Sequence, residues 1–399
     1  MPVSPQARLT VLALVATLGM QALVSFSALA LGVMAPVVAQ ATSLPVALVG
    51  VYVAILFGGA MVSAMQGGRW VRRLGAIRIS QLCLLLCAIG LGMVASASRA
   101  LMAAGALVIG LGYGPLTPAS SQLLVALTPA RMRGVVFSLK QTSIPLGGVL
   151  AGALLPAAVA AFGWRHALLG LAGVCVGASL LAQPARVRLD VPVAGAQAAG
   201  RGRHPLAVVL GHPRIRELAV CSFFFAAMQL CLSAFFVAQL HAEAGLSLVS
   251  AGMLLAVAQG AGVLGRITWG AVVDRGVAAG RLLGLLGLAM GACALASSAL
   301  SPGWSLPAIV VLAACFGATA TGWNGIYLAE VARLAPPGQA GAVTGGTLSF
   351  TYAGVVVGPA LFAWVASLGG SLSRGYLALG ATLALAGLVL LLRALRAAP

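Results

Sequence analysis

Gly68-Arg-Trp-Val-Arg72-Arg73-Leu-Gly75-Ala-Ile-Arg78 and Gly270-Ala-Val-Val-Asp274-Arg275-Gly276 are the two stretches on which the reading of this chain turns. Each places a glycine four residues before a charged pair, at the end of a long apolar run. They are also copies of one another. Leu44 to Gly75 lies without gaps on Leu246 to Val277, a shift of 202 that matches Gly50 with Gly252, Gly58 with Gly260 and Gly68 with Gly270. A second register, shifted by 207, matches Gly134 with Gly341 and Gly147 with Gly354. A chain that repeats a charged punctuation mark between apolar runs is built from two related halves.

Around these stretches the composition is extreme. The 399 residues hold 23 Lys+Arg and 5 Asp+Glu, so 7% are charged, while 61% are hydrophobic. An ordinary soluble domain carries roughly 25% charged residues, and 7% cannot cover a soluble surface. That excludes a soluble enzyme, a nucleic-acid-binding domain and a disordered chain. At ~20 apolar residues per span there is material for about twelve membrane helices. An outer-membrane barrel would need alternating ten-residue segments. This chain instead has runs without any charge from Arg8 to Arg69, Glu217 to Glu243, Arg281 to Glu330 and Arg333 to Arg374. Such runs read as helices, and the 52 glycines suit helices that pack closely in lipid.

Spans are expected near 9–34, 45–67, 78–97, 100–127, 135–161 and 165–184, then near 217–240, 247–270, 281–300, 305–332, 340–366 and 375–395. The first runs past Ala28-Leu29-Ala30 to Val38, too far for a cleaved signal sequence. The expected domains are an N-terminal bundle over 1–184, a basic cytoplasmic linker over 185–215 (with Arg186, Arg201, Arg203, Arg214, Gly195 and Pro205) and a C-terminal bundle over 216–399. The fold class is an all-α membrane protein of twelve transmembrane helices in two pseudo-symmetric six-helix bundles.

With both termini cytoplasmic, Arg99, Arg165 and Arg374 fall on the far side, and Lys140 and Arg266 fall inside spans. The other eighteen of the 23 basic residues lie on cytoplasmic segments. The positive-inside rule accounts for that bias. The net charge of +18 therefore reports orientation in a bacterial inner membrane, with no nucleic-acid partner required.

The two opening stretches, at the 2–3 and 8–9 loops of a six-linker-six chain, resemble the loop signature G-x-x-x-D-R-x-G-R-R of the major facilitator superfamily. The resemblance covers essentially the whole chain. It implies that Asp274 faces the N-terminus of the fifth span and that Arg72, Arg73 and Arg275 belong to the same cytoplasmic latch. The first copy departs from the pattern, because Arg72 stands at the acid position, so a one-sided latch is expected. Ala106 stands where many members have arginine, and Ser143-Ile-Pro145-Leu-Gly147-Gly148 only loosely resembles the motif of drug antiporters. Phe162-Gly163-Trp164-Arg165 resembles the opening of the sixth span in bacterial members. Gly112 to Pro118 and Phe137 to Pro145 resemble bacterial members near the cyanate-type transporters. Repeated six-helix halves imply a cargo site near the bilayer midplane.

Polar side chains inside lipid are costly and turn toward a cavity or one another. Tyr113, Thr117 and Ser120 or Ser121 form one stripe on the fourth span, and Thr321, Asn324 and Tyr327 form one on the tenth. Gln21 and Ser25 share a face of the first span, Gln229 and Ser233 a face of the seventh, and Gln259 lies mid-span in the eighth. Ser and Thr also commonly bond their own helix backbone. Lys140, the only lysine, and Arg266 are cations within spans, and Glu330 is the one intramembrane carboxylate, close to Arg333. Arg266 either snorkels to the near cytoplasmic surface or pairs with Glu330, and both residues are assigned to the gating set. The cargo-binding candidates are Gln21, Tyr113, Thr117, Lys140, Gln229, Gln259, Asn324 and Tyr327.

No G-x-x-x-x-G-K-[ST] occurs, so ATP does not drive the protein directly. No cysteine pair suggests a metal site, no nucleophile-base set stands out, and no cofactor is implied. The expected activity is secondary transport by a monomer in the lipid bilayer, with a small-molecule substrate and a proton or other ion as coupling partner. A carboxylate-poor, cation-bearing path favours a small organic anion or polar metabolite. The alternatives are a drug or metabolite efflux antiporter and a non-transporting receptor on the same fold.

Overall fold

The computed structural model describes residues 5–42, 48–190 and 204–396. The expected linker residues 191–203, with Arg201, Arg203 and Gly195, lie outside the described residues. The first half begins with α1 (Pro5–Val33), the short α2 (Ala35–Thr42), α3 (Leu48–Leu74) and α4 (Ala76–Ala95). It continues with α5 (Arg99–Tyr113), α6 (Leu116–Leu127), α7 (Arg133–Gln141), α8 (Ser143–Leu181) and α9 (Gln183–Leu189). The second half holds α10 (Pro205–Gly211), α11 (Pro213–Ala242), α12 (Leu248–Asp274), α13 (Ala279–Ser297) and α14 (Leu306–Ala320). It ends with α15 (Asn324–Leu334), α16 (Ala340–Gly369) and α17 (Leu372–Arg396).

Among the described residues, eleven segments are long and apolar enough to cross a membrane. One of them, Ala130–Leu189, runs for 60 residues. At 1.5 Å per residue a single helix of that length would be about three bilayer cores long, so it must turn. It does so at Gly163, whose φ of 77° and ψ of 158° leave the helical region inside α8. A side chain would resist that φ, and glycine does not. Counted on both sides of this turn, the segment supplies the fifth and sixth spans, giving the twelve expected.

The fourth and tenth spans are not continuous helices. The fourth breaks at Gly114-Pro115 between α5 and α6, and the tenth at Thr321-Gly322-Trp323 between α14 and α15. The breaks are 207 residues apart, the same shift that relates the two halves in sequence. Proline at 115 cannot donate to the ladder, which accounts for the first.

The chain divides into two compact units: Met1–Pro129 with Lys140–His212 and Val331–Ser349, and Ala130–Leu139 with Pro213–Glu330 and Phe350–Pro399. Each therefore takes one segment from beyond the half of the sequence that supplies most of it. In the first unit α8 packs on α1 and α4, and α3 packs on α5. In the second, α13 packs on α17 and α12 on α14.

The internal repeat reappears as repeated close contacts. In the first unit Gly110 of α5 lies against the Leu56 carbonyl of α3, so tightly that a Cβ would clash. In the second unit Gly317 of α14 does the same against the Ala258 carbonyl of α12. Glycine lets the backbones approach where dispersion contacts supply the attraction between helices in lipid.

With five acids in the chain, their placement is informative. Asp190, just past α9, accepts the backbone N–H groups of Ile77 (2.9 Å) and Arg78 (2.8 Å) in the first turn of α4. Burial pushes its carboxyl above the usual range, partly offset by those amide bonds and by Arg186. Glu243, just past α11, accepts from the Ser371 hydroxyl at 2.7 Å, the Ser373 hydroxyl at 2.5 Å and the Ser373 N–H at 3.3 Å, at the start of α17. Burial acts to raise this carboxyl, but the hydrogen bonds from Ser373 and Ser371 outweigh it and hold it below the ordinary glutamate range. A depressed carboxylate stabilises the fold above the unfolded pKa and loses that contribution as pH falls through the folded one. Glu243→Ala is expected to cost about 1 kcal/mol of stability, as loss of a helix cap does. A melting-temperature comparison with the parent protein checks this: the difference is expected at neutral pH and should fade below about pH 4. Glu217 pairs with Arg393, whose side chain is 57% exposed, and a pair so placed contributes little.

Candidate functional site

In the first unit three elements bring polar side chains together. Gln21 on α1 is fully buried, and its Oε1 accepts from the Lys140 ammonium at 3.1 Å and the Thr117 hydroxyl at 3.2 Å. Thr117 sits on α6, just past the break in the fourth span. Lys140 lies in the last turn of α7, and the Ser143 hydroxyl donates to its carbonyl at 2.6 Å. Lys140 is only 2% exposed. Gln21 Nε2 has no hydrogen-bond partner among the described residues, nor does the Ser25 hydroxyl one turn along. What this cluster has to offer a further molecule is therefore mainly donors. Tyr113 is also buried, and its ring packs edge-on against Phe57 at 5.8 Å.

In the second unit the corresponding helices make a corresponding cluster. Asn324 Nδ2 on α15 donates to Gln229 Oε1 on α11 at 3.1 Å. Gln259 Nε2 on α12 donates to the Ser233 hydroxyl at 3.1 Å, and that hydroxyl donates to its own helix at the Gln229 carbonyl. Gln21 and Gln229 are 208 residues apart, Thr117 and Asn324 are 207 apart, and Ser25 and Ser233 are 208 apart. Each half thus pairs a glutamine of its first helix with a polar residue of its fourth. The pairs differ in chemistry, since the first adds a cation and the second only amides and hydroxyls. Tyr327 is buried with its ring 5.2 Å from Trp323, which in turn packs edge-on against Phe225 at 5.3 Å. Arg266 is 2% exposed and its Nε donates to the Thr321 carbonyl at 2.8 Å, at the break in the tenth span. Glu330 is half-buried on the same span, one turn past Tyr327.

The latch candidates are as sharply placed. Asp274, the last residue of α12, accepts the N–H groups of Gly134 (2.8 Å) and Val135 (2.7 Å) at the start of α7, both within the second unit. Those amides have no partner inside their own helix and sit at its positive end. The close approach is allowed by glycine on both sides: a Cβ on Gly270 would lie 2.7 Å from the Gly134 carbonyl oxygen. In the first unit Gly68 presses in the same way on Gly341 and Ala342 at the start of α16. The residue equivalent to Asp274 there is Arg72, half-buried, with one guanidinium nitrogen buried and without a hydrogen-bond partner among the described residues. Arg73 and Arg275 are exposed.

Sequence reasoning does not find Asp190 and Glu243 as cap residues. A signal exists, since each lies just past an apolar run, but the helix end that each one meets is more than a hundred residues away.

The model of the Major Facilitator Superfamily matches residues 17–352. A curated relative, the glucose transporter GlcP of Staphylococcus epidermidis, is 36% identical over 127 residues. That match takes in 31% of this chain and 28% of the relative, so the chain spans well under half the length of that protein. Among solved structures, the human organic anion transporter MFSD10 (TETRAN) superposes with a TM-score of 0.73 at 19% identity, over 98% of this chain and all of the other. The Escherichia coli fucose:proton symporter FucP does so with a TM-score of 0.73 at 16% identity, over 97% of this chain and 98% of the other. Such identities speak for the fold alone, whereas the family match covers most of the chain. With its two repeated halves, its paired loop motif and its apolar helices, this multi-pass membrane protein belongs to the Major Facilitator Superfamily of transporters.

Proposed function

We propose that the protein is a secondary transporter of a small organic anion, working by alternating access in a bacterial inner membrane with both termini cytoplasmic. The observation that carries this reading is the cluster of Lys140, Gln21 and Thr117. Its one strong acceptor, Gln21 Oε1, is already used by two donors. The remaining Lys140 hydrogens and Gln21 Nε2 are donors in a buried setting, which is how proteins recognise carboxylates and other oxyanions. The solved structure of MFSD10, described as an organic anion transporter, supports the reading that the fold accommodates such cargo. Asp274 serves as the single acid of the cytoplasmic latch, released when α7 moves away.

A second reading, a neutral sugar or polyol, is favoured by the amide and hydroxyl cluster around Gln229, Gln259 and Asn324, and by the names of GlcP and FucP. Thermal-shift measurements on the purified protein separate the two. Lactate, gluconate, succinate and benzoate are to be compared with glucose, fucose and tetraphenylphosphonium. At least one of the carboxylates is expected to raise the melting temperature, and Lys140→Ala is expected to abolish that rise. Stabilisation by a sugar that survives Lys140→Ala supports the second reading. Stabilisation by the lipophilic cation alone would refute the first.

A further inference from the structure

Lys140 raises a question that anion binding alone does not answer. Its ammonium is buried, donates to Gln21 Oε1, and has no acid beside it among the described residues. The first unit contains a single carboxylate, Asp190, and that one is occupied with the amides of Ile77 and Arg78. On α1 the only ionisable residue is Arg8, more than three turns from Gln21, and α6 has none. On its own helix the nearest charge is Arg133, two turns earlier, and α8 offers Arg165, His166 and Cys175 far along its length. Of the other elements of this unit, α3 carries Tyr52, Arg69, Arg72 and Arg73, α4 carries Arg78, Cys83 and Cys87, and α5 carries Arg99 and Tyr113. None of these groups is a carboxylate that could pair with the amine. Thr117, the other side chain at Gln21, has no charge to give.

An isolated charge in such a place costs several kcal/mol, and the same holds for a carboxylate that enters without a counter-ion. Each cancels the cost of the other. By linkage the anion must then strengthen proton binding at the amine by the factor with which the proton strengthens anion binding. Arg266, the other intramembrane cation, cannot take part, because a guanidinium does not release its proton.

We propose that Lys140 is the coupling group of the transport cycle: it takes up one proton with each monovalent anion and gives up both on the other side. The amine nitrogen accepts the proton on loading, the resulting ammonium holds the carboxylate, and release returns the proton to water, so one anion and one proton cross with no net charge. This rests on the anion reading above, and it makes a lysine do what an intramembrane carboxylate does in most proton-coupled carriers.

The test uses the full chain in proteoliposomes, with radiolabelled lactate and gluconate as probes. A one-unit pH gradient, acidic on the loading side, should drive about tenfold accumulation, since one pH unit is a tenfold driving force for one proton. A membrane potential alone should drive none. In detergent, adding lactate or gluconate to the parent protein should take up one proton per anion bound, read with a pH dye, and this needs no variant. Lys140→Arg keeps the cation but not the exchangeable proton, so whatever anion binding it retains should be independent of pH. Accumulation that follows the membrane potential, binding without proton uptake, or a Lys140→Arg protein that still accumulates cargo with the pH gradient would each overturn the coupling proposal while leaving anion transport standing. Failure of lactate, gluconate, succinate and benzoate alike to bind or cross would instead remove the anion reading, and the coupling with it.

Discussion

Lys140→Ala should lower uptake of the anionic cargo by about a hundredfold or more. The cargo carboxylate would then enter a buried site with Gln21 and Thr117 but no positive charge. Leaving one member of a buried ion pair unpaired costs about 3–5 kcal/mol, and 1.4 kcal/mol is a factor of ten. The variant should still fold, since alanine removes the buried amine together with its bond to Gln21. Uptake of radiolabelled cargo into proteoliposomes, with circular dichroism as a control for folding, measures this. Wild-type uptake by Lys140→Ala would show that the amine does not meet the cargo.

The latch gives the second large effect, and its asymmetry makes the expectation two-sided. Asp274 makes two charge-assisted bonds to the first amides of α7. Each contributes about 1.5–3 kcal/mol net of the bonds to water that it replaces. Asp274→Ala should therefore loosen α7 from α12 by at least about tenfold. Ser138, fully buried on α7 and close to Gly270 and Gly325, is the reporter. In a Ser138→Cys background, maleimide labelling should accelerate by that factor. Arg72→Asp should do the reverse to the matching contact, where Gly68 meets the start of α16. It would place an acid at the position equivalent to Asp274, one turn past Gly68, whose backbone meets the start of α16, and the added hold should slow turnover about tenfold. Unchanged labelling in Asp274→Ala would show that the two amide bonds do not hold the contact closed.

Much of the fold is legible in the amino-acid sequence. Charge-free runs between Arg8 and Arg69 and between Arg333 and Arg374 can only be membrane helices, and the family match over 17–352 agrees. The Gly68 and Gly270 copies point to a repeat, and the paired contacts of Gly110 with Leu56 and Gly317 with Ala258 show it as geometry. Helical spacing also puts Gln21, Thr117, Gln229 and Asn324 on polar stripes. Spacing does not say which oxygen a donor will choose. That Lys140 and Thr117 share Gln21 Oε1 depends on how α1, α6 and α7 meet in three dimensions. The breaks at Gly114-Pro115 and Thr321-Gly322-Trp323 escape a reading by hydropathy because the apolar run continues through them, and hydropathy is blind to a missing backbone hydrogen bond. Asp190 and Glu243 are invisible as caps for a similar reason: a carboxylate past a helix end looks like any loop acid until the distant helix that it meets is known. The exchange of 130–139 and 331–349 between units likewise follows from packing at Gly134 and Gly341, not from any change in composition.

The most direct test is a structure of the protein with the carboxylate that gives the largest thermal shift. The cargo's oxygens are expected within hydrogen-bond distance of Lys140 Nζ and Gln21 Nε2, with Thr117 still bonded to Gln21 Oε1. A cargo seated on Gln229, Gln259 and Asn324 with no contact to Lys140 would contradict the account.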